Sequence, residues 1–508
     1  MGRTEVDFLE QDVLEVLSLV RSTKNTFAPI NRIPPDVLVL IPQHCDTYDD
    51  LITLTQVCRG WRENFISHSA LWTGLNCTHV EWTRISLERS KTSPLDISLK
   101  EGDFLNDAFL LTVSHLHNLG ALTISGSSNS LLRLTKHLDS PSPLLKKLKI
   151  VCTRTKDPVI IKDTMFNGSL SSLHELRLSG VITNLAWKNM ANLRTFDLQQ
   201  VPSNKLSVTQ LLNFFERAPL LRKIILRQAF PNSSDSPLGR VVSLPNLKYL
   251  ILAAQPAHTI LLNHLLMPVG TSVYQGFDFS GARPPFPSHI PQNPQNLKNL
   301  LNITSVNLIV GLGVSFRLKG PNGELYMLGN WVGDGLAPNG IDKRALLSLK
   351  LFPISTAEHL TIACWRSGTS PSPEVNKSPV YLTFLSMKNL RVLTLTNCRN
   401  HLFFLVLNPN KNQQKIILCP KLEELVVYIK SEDLFYVNEL LEMAEERASR
   451  GVKLETVTIV SSKEFVPAKE VLKLRNYASS VEYRLDDIVP NWDESPLDVE
   501  DAVYDSDW

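Results

Sequence analysis

The side chains that could do chemistry are scattered along this 508-residue sequence. It contains no Walker phosphate loop, no Gly-x-Ser-x-Gly nucleophile elbow and no His-Glu-x-x-His zinc helix. Gly311 and Gly313 begin a pattern that lacks the third glycine of a dinucleotide-binding loop. His115 and His117 are close in sequence, but a metal site needs further ligands. We therefore predict no enzymatic activity, no metal site and no cofactor; an enzyme would need an unrecognised active site within residues 256–340.

Composition excludes several kinds of partner and compartment. The formal net charge is +2, with acids and bases interspersed, which predicts neither a nucleic-acid partner nor a membrane partner. Acidic residues stand where a secretory signal would need bases, and no apolar run approaches the length of a membrane span. The seven cysteines are odd in number and scattered, which favours a reducing compartment. We expect a cytoplasmic and/or nuclear protein that is not secreted.

Two short helices are predicted within residues 30–72. Pro34 and Pro35 fix the backbone for the first turn of a helix, where an amide N–H would have no partner. Pro42 ends this short helix. The apolar residues that we expect on one of its faces are Val37, Leu38 and Ile41.

A second amphipathic helix is predicted after a polar segment. Asp49 and Asp50 suit its positive end. The residues that recur at helical spacing are Leu51, Leu54, Thr55 and Cys58. A unit of about forty residues buries too little apolar surface to stand alone, so it packs on its own chain or completes its core with a partner.

These motifs resemble an F-box. The resemblance lies in the Ile33-Pro-Pro start, the block Val57-Cys-Arg-x-Trp-Arg62 and the pair Leu71-Trp72. It implies binding to the Skp-type adaptor of SCF ubiquitin ligases, a cullin-RING class. The residues that would form or support the adaptor surface are Ile33, Pro34, Pro35, Leu38, Ile41, Leu51, Leu54, Val57, Cys58 and Trp61. Leu38 and Val57 are the best anchors, because large apolar side chains dominate such surfaces, whereas Trp61 and Trp72 suit an internal core. The alternative is a small helical cap on the region that follows.

A wider resemblance covers residues 5–100. The words Asn31-Arg-Ile-Pro-Pro35 and Leu87-Glu-Arg-Ser-Lys-Thr-Ser-Pro-Leu-Asp-Ile-Ser-Leu99 are similar to the F-box proteins abundant in mushroom-forming (basidiomycete) fungi. This resemblance implies a substrate-recognition subunit, whose F-box binds the adaptor while the rest of the chain holds an unknown substrate protein. The alternative is a scaffold or interaction protein without a ubiquitin-ligase role. Residues 94–99 would form the first strand after the F-box.

One apolar triplet recurs along most of the remaining chain. Its members are separated by two residues and then by one, as in Leu119/Leu122/Ile124. The other copies are Leu145/Leu148/Ile150, Leu173/Leu176/Leu178, Leu193/Phe196/Leu198, Leu221/Ile224/Leu226, Leu247/Leu250/Leu252, Ile303/Val306/Leu308, Ala357/Leu360/Ile362, Leu390/Leu393/Leu395, Leu422/Leu425/Val427 and Leu454/Val457/Ile459. Successive copies start 20 to 28 residues apart in the first half and about 32 apart in the second, near the leucine-rich-repeat range. We predict an α/β fold: an irregular leucine-rich-repeat solenoid over residues 77–484, with parallel strands alternating with helices. The alternative is an α/β domain whose parallel strands share the buried pattern.

The repeat is hard to follow between residues 256 and 340. Pro284–Pro294 is proline-dense and predicts an extended loop. Residues 317–328 predict a β-hairpin that turns at Pro321-Asn322-Gly323. Because insertions in repeat proteins gather on one face, often the binding face, this insertion is a candidate specificity element or else a decorative loop.

The two ends differ from the middle of the chain. Residues 4–21, within an N-terminal segment 1–29, predict an amphipathic helix that packs on the F-box (residues 30–76) or the first repeat rather than on another chain. Residues 485–508 contain nine acids and no Lys or Arg, which predicts a solvated, disordered tail.

Overall fold

The chain divides into two compact units, Met1–Leu193 and Arg194–Trp508. The computed structural model describes residues 3–44, 48–104, 106–153, 159–162, 164–202, 205–229, 239–253, 257–278, 297–310, 313–330, 346, 349–350, 352–364, 378–396, 400–412, 414–429, 437–461 and 472–485. The predicted proline-dense loop and all of the predicted acidic tail except Leu485 lie outside these residues. Within the described part, no helix is both long and apolar enough to cross a membrane.

The first unit begins with helices and continues into a parallel sheet. Its helices are α1 (Arg3–Thr26), α2 (Pro35–Leu38), α3 (Tyr48–Gln56), α4 (Arg59–Ser67), α5 (Val80–Ser90), α6 (Asp107–Val113) and α7 (Ser128–Thr135). Its strands are β1 (Gly74–Leu75), β2 (Leu95–Lys100), β3 (Leu119–Gly126), β4 (Lys147–Cys152), β5 (Val159–Ile160), β6 (Glu175–Ser179) and β7 (Val181–Ile182). Short 3-10 helices occur at Pro29–Arg32, Ile41–His44, Ser69–Trp72, Glu101–Asp103, Leu116–Asn118 and Met165–Gly168.

The sheet of the first unit keeps one register. Strands β1, β2, β3, β4 and β6 pair side by side and all run parallel, while β5 and β7 form a separate small pair. The register aligns one row of buried residues across the five strands: Leu75, Ile97, Leu122, Leu148 and Leu176. The predicted first strand forms as β2, but the two-residue β1 precedes it and pairs with it.

The second unit repeats this organisation over a longer stretch. Its strands are β8 (Thr195–Val201), β9 (Lys223–Ala229), β10 (Val242–Ser243), β11 (Tyr249–Ala253), β12 (Leu265–Leu266), β13 (Ser272–Asp278), β14 (Ser305–Val310), β15 (Gly313–Gly320), β16 (Gly323–Asn330), β17 (His359–Cys364), β18 (Val392–Thr396), β19 (Glu424–Ile429), β20 (Leu454–Ser461) and β21 (Ala478–Leu485). Its helices are α8 (Val208–Arg217), α9 (Ala257–Leu262), α10 (Pro379–Ser386), α11 (Asn400–Leu407) and α12 (Val437–Ser449), with 3-10 helices at Lys298–Leu300, Ile354–Thr356 and Leu474–Asn476.

The sheet of the second unit is mostly parallel. Strands β8, β9, β11 and β13 pair in sequence order, and β14, β17, β18, β19, β20 and β21 do the same. Between these two runs, β14, β15 and β16 form an antiparallel meander, with β16 parallel to β13. A buried row continues through the meander: Val273, Leu325, Leu318, Val306 and Leu360.

The repeated triplet forms these strands. In each of the eleven copies, the last two apolar residues lie in a strand and are buried, because they face the same side of the sheet. The predicted capping box of Ser207 and Gln210 begins α8, where Gln210 N donates to Ser207 Oγ at 3.0 Å. The predicted hairpin is also confirmed as β15 and β16. Each unit therefore has an α/β fold built on a parallel or mostly parallel sheet.

Helix α1 departs from the prediction. It forms over the predicted residues, but all of its described residues from Val6 onward are exposed. The apolar side chains Val6, Leu9, Val13, Val16 and Val20 retain between 48% and 63% of their accessible surface. The prediction that this apolar face packs on the F-box or the first repeat is therefore wrong. The helix forms as its amphipathic pattern predicts, but its apolar face stays exposed to solvent.

Candidate functional site

The two prolines at residues 34–35 start a helix of one turn. Pro34 is the N-cap of α2, and its carbonyl accepts from Val37 N at 3.0 Å and from Leu38 N at 2.9 Å. Leu38 is buried, whereas Val37 is 48% exposed. The prediction that these two residues share one helical face is therefore wrong, because a four-residue helix turns adjacent side chains to different sides.

A break between α3 and α4 exposes Val57. Helix α3 ends at Gln56, and Cys58 has an extended backbone (φ −159°, ψ 172°) as the N-cap of α4. The predicted helix through Cys58 is thus two residues too long. Arg62 Nε, on α4, donates to Thr55 O at 3.0 Å and satisfies a carbonyl in the last turn of α3. Because the chain turns here, the Val57 side chain is 54% exposed.

A small apolar core holds these helices together. Leu38, Trp61 and Phe65 are buried, with the two rings edge to face at a centroid distance of 5.5 Å. The partly buried side chains that pack against them are Ile33, Ile41, Leu54, Cys58 and Leu71. The prediction that Trp61 and Trp72 are core residues is confirmed by their burial.

Trp72 joins this core to α5. Its indole Nε1 donates to Phe65 O at 2.8 Å, and the Arg89 guanidinium lies 4.2 Å from the centre of its ring. The domain therefore completes its core with residues that follow it in the same chain, which leaves its exposed apolar side chains available for another molecule.

The ten predicted adaptor residues divide into three classes. Leu38, Leu51 and Trp61 are buried. The half-buried residues are Ile33, Ile41, Leu54 and Cys58, and the exposed ones are Pro34, Pro35 and Val57. Because Leu38 is buried, it is not the exposed anchor that the sequence predicted.

Sequence reasoning missed three exposed apolar residues next to these. Ile30 is 44% exposed, and Val37 and Leu40 are each 48% exposed. The sequence feature that could have revealed them is the short distance between Pro34 and Pro42. A helix that short has too few residues to place all of its apolar side chains on one face. Together with Pro34, Pro35 and Val57 they form a set that we call the exposed apolar set: Ile30, Pro34, Pro35, Val37, Leu40 and Val57.

An open groove separates α1 from this domain. It has a volume of about 1000 Å³. The predicted adaptor residues on its wall are Ile33, Pro35, Leu38, Cys58 and Trp61. Opposite them, α1 contributes residues between Leu14 and Thr26. Half of the predicted residues are thus brought together at one groove.

Charge contributes little around the groove. Arg59 and Glu63 form an ion pair at 2.8 Å, but both side chains are well exposed, so solvent screens it. Burial raises the pKa of the Cys77 thiol, which is not part of the groove lining, to about 12, with Asp103 adding to the rise and a hydrogen bond to Thr112 opposing it. Among the described residues, no three His, Cys, Asp or Glu side chains are grouped as a metal site.

A second cluster lies on β13 and the adjoining hairpin of β15 and β16 in the second unit. Tyr274 Oη donates to Glu324 Oε1 at 2.8 Å, and Arg317 Nε donates to Glu324 Oε2 at 3.0 Å. The rings of Tyr274 and Tyr326 are 6.5 Å apart. Burial raises the pKa of both tyrosine hydroxyls above its ordinary value. We call Tyr274, Arg317, Glu324 and Tyr326 the hairpin patch; its tyrosines and arginine are residue types enriched at protein interfaces.

Comparison with protein-family models gives a match at this end of the chain. Residues 30–78 match the F-box-like family. A search of curated proteins found no match to the chain. The matched segment contains α2, α3, α4, the core of Leu38, Trp61 and Phe65, and the exposed apolar set. The chain therefore carries an F-box-like domain at residues 30–78.

Proposed function

We propose that this chain is the substrate-recognition subunit of an SCF-type cullin-RING E3 ubiquitin ligase. The observation that carries the proposal is the F-box-like match over residues 30–78, because such domains generally bind Skp-type adaptors. The exposed apolar set supports it. Val37, Leu40 and Val57 each leave about half of their surface in solvent, although the domain has its own buried core. Such side chains are stabilised when a partner covers them.

The role is non-catalytic. Holding a substrate near an E2 thioester raises the effective concentration of its lysines, and no side chain of this chain needs to enter the reaction. The domain contributes rigid positioning, since its buried tryptophans and the α3–α4 break fix where Val57 projects. A chain acting this way would work in the cytoplasm and/or nucleus.

The second part of the proposal concerns the parallel sheet. We infer that residues 77–484 are an irregular leucine-rich-repeat solenoid that holds the substrate, as in the F-box proteins of mushroom-forming fungi that the chain resembles. The regular spacing of the triplet and the shared register of its strands support this inference. The hairpin patch is the candidate specificity element, because an insertion places its tyrosines and arginine outside the buried row.

The test is capture of the adaptor and cullin from cells by the full chain. Val57→Asp would bury an unpaired carboxylate in an apolar contact, and a cost of about 2 kcal/mol would weaken binding roughly thirtyfold. Val269→Asp is a matched control, because Val269 and Val57 are both 54% exposed and Val269 lies outside the F-box-like domain. Leu38→Asp is unsuitable, since Leu38 is buried and its loss would unfold the domain.

Each of three outcomes is informative. Capture by the wild type and by Val269→Asp, with loss in Val57→Asp, would support ligase membership. If the wild-type chain captures neither protein, the receptor proposal fails and a repeat scaffold remains. If Val57→Asp binds as tightly as the wild type, the adaptor surface is elsewhere.

A further inference from the structure

Helix α1 carries an apolar stripe that nothing in its own unit covers. Its residues follow the three-and-four spacing of a coiled-coil seam, with Leu17 beside it. The members of this stripe, with their exposed fractions, are Val6 (49%), Leu9 (48%), Val13 (63%), Val16 (62%), Leu17 (41%) and Val20 (52%). A helix of 24 residues is about 36 Å long, so the stripe is a long surface to leave in water.

The groove beside the F-box-like domain does not account for the stripe. The wall that α1 contributes to it includes the polar residues Ser18, Ser22 and Asn25, and only Val16 and Leu17 from the stripe. At about 100° per residue, Ser18 and Asn25 lie about 140° to 160° around the helix from the centre of the stripe, close to its opposite side. The stripe therefore needs another occupant.

The charges on α1 exclude two occupants. The polar side of the helix carries the acids Asp7, Glu10, Asp12 and Glu15. Helices that lie on membranes carry Lys and Arg there, so an anionic lipid surface would repel this one. Residues 486–508 of the same chain contain nine acids and no base, so like charge disfavours them as well.

The same charges suit a second copy of the chain. Apart from Arg3 at its start, the charged residues in the first part of α1 are all acids, these four and Glu5, whereas the bases Arg21 and Lys24 lie in its last two turns. When two such helices run antiparallel, the acidic part of each faces the basic part of the other, and the two copies use the same surface. A parallel pair would instead place acids beside acids.

We propose that two copies of this chain associate through antiparallel pairing of α1. In the symmetric register, Val13 of one copy packs against Val16 of the other, and Leu9 packs against Val20. The seam has few layers, so the association is weak and depends on protein concentration. It involves none of the exposed apolar set of the F-box-like domain, and its test needs no adaptor.

Sedimentation velocity of the full-length protein over a range of concentrations tests the pairing. We expect the wild type to shift from monomer to dimer as concentration rises. Val13→Asp/Val16→Asp should remain a monomer at every concentration. Phe8→Asp/Leu14→Asp is the matched control, since these residues are 69% and 57% exposed, lie on α1 outside the stripe and belong to its acidic half; it should dimerise like the wild type. Circular dichroism establishes that α1 stays helical in each variant.

Two further experiments test the charge complementarity and the antiparallel direction of the pairing. They decide the proposal even if an aspartate variant loses the helix. Arg21→Glu/Lys24→Glu should dimerise poorly alone and should form a heterodimer when mixed with Asp7→Lys/Glu10→Lys. When Leu9→Cys and Val20→Cys proteins are mixed under mild oxidation, a mixed disulfide dimer should predominate over either like pair, and the wild type should give no such band.

Three results would overturn the proposal. The first is a wild-type chain that stays monomeric at all concentrations. The second is a dimer that persists in Val13→Asp/Val16→Asp. The third is crosslinking of Leu9→Cys mainly to itself, which would indicate a parallel pair. If the chain dimerises through α1 but captures no adaptor, the proposed function fails and the proposed α1 pairing stands.

Discussion

Asn31 and Trp61 are joined across the F-box-like domain by a hydrogen bond in which the indole Nε1 donates to Asn31 Oδ1 at 2.8 Å. The same asparagine donates from Nδ2 to Asn25 O, in the last turn of α1, at 2.7 Å. The Cys58 thiol approaches Asn31 Oδ1 at 3.8 Å. One side chain thus connects the end of α1, the start of the domain and α4.

We predict that Asn31→Ala destabilises the domain by about 1–2 kcal/mol, because the nearly buried indole N–H of Trp61 loses its acceptor. Hydrogen exchange of peptides covering residues 30–72 measures this as faster exchange of the α4 amides. Asn31→Asp keeps an acceptor for Trp61 and loses the bond to Asn25, so it should stay closer to the wild type. Equal exchange in Asn31→Ala and the wild type would contradict the role of this bond.

Leu38 and Val57 should separate stability from binding. Leu38→Ala removes a buried side chain and should lower the free energy of unfolding by about 2–5 kcal/mol. Val57→Ala changes an exposed side chain and should leave that free energy within about 0.5 kcal/mol of the wild type while weakening adaptor capture. Denaturant unfolding followed by tryptophan fluorescence checks both. A large loss of stability in Val57→Ala would show that Val57 is a core residue instead.

Gly320→Ala should disrupt the hairpin. An added Cβ at Gly320 would meet the backbone carbonyl of Asn302, which cannot move aside as a flexible side chain can. Hydrogen exchange in β15 and β16 should therefore rise. Gly60→Ala is the comparison, because Gly60 lies near the start of α4 with open space around its Cβ position, and alanine should stabilise that helix by about 0.5–1 kcal/mol. An unchanged hairpin in Gly320→Ala would contradict the predicted clash.

Cys77 should make the first unit sensitive to alkaline pH. Burial raises the pKa of its thiol from 9.0 to about 12. Below pH 9.0 the folded and unfolded chains both hold the proton, and the stability from this thiol is complete. Above that pH the unfolded chain releases the proton first, so the free energy of unfolding falls by roughly 1 kcal/mol per pH unit until the folded thiol ionises.

Unfolding of the wild type and Cys77→Ala on either side of pH 9.0 checks this expectation. The variant should lose less stability than the wild type as pH rises, because it lacks the titrating group. Parallel pH profiles for the two proteins would show that this thiol is not protected by folding.

The strands were predictable from sequence because their signal is local. In a triplet such as Leu390/Leu393/Leu395, the last two leucines flank the polar Thr394. Leucines that alternate with a polar residue in this way face the same side of a strand. The same copies fall in register across neighbouring strands, so each local pattern agrees with the sheet. The capping box before α8 and the turn between β15 and β16 were predictable for the same reason.

The candidate site was harder to predict because it depends on where helices end. The spacing of Leu51, Leu54 and Cys58 fits a continuous helix, but the chain breaks after Gln56. In α2, likewise, sequence spacing placed Val37 and Leu38 on one face, but Leu38 is buried and Val37 is exposed. For α1 the amphipathic pattern predicted the helix correctly but carried no information about what would cover it.

Within the meander, the hairpin of β15 and β16 adds two strands between β13 and β14, which belong to the parallel runs on either side. Strand β15 runs against its neighbours, and β16 reverses direction again, so β13 and β14 still point the same way on either side of the addition. A single added strand would have inverted everything beyond it. Hairpins can therefore be gained, lost or exchanged at this place without rebuilding the rest of the sheet, which makes the second unit open to diversification during evolution.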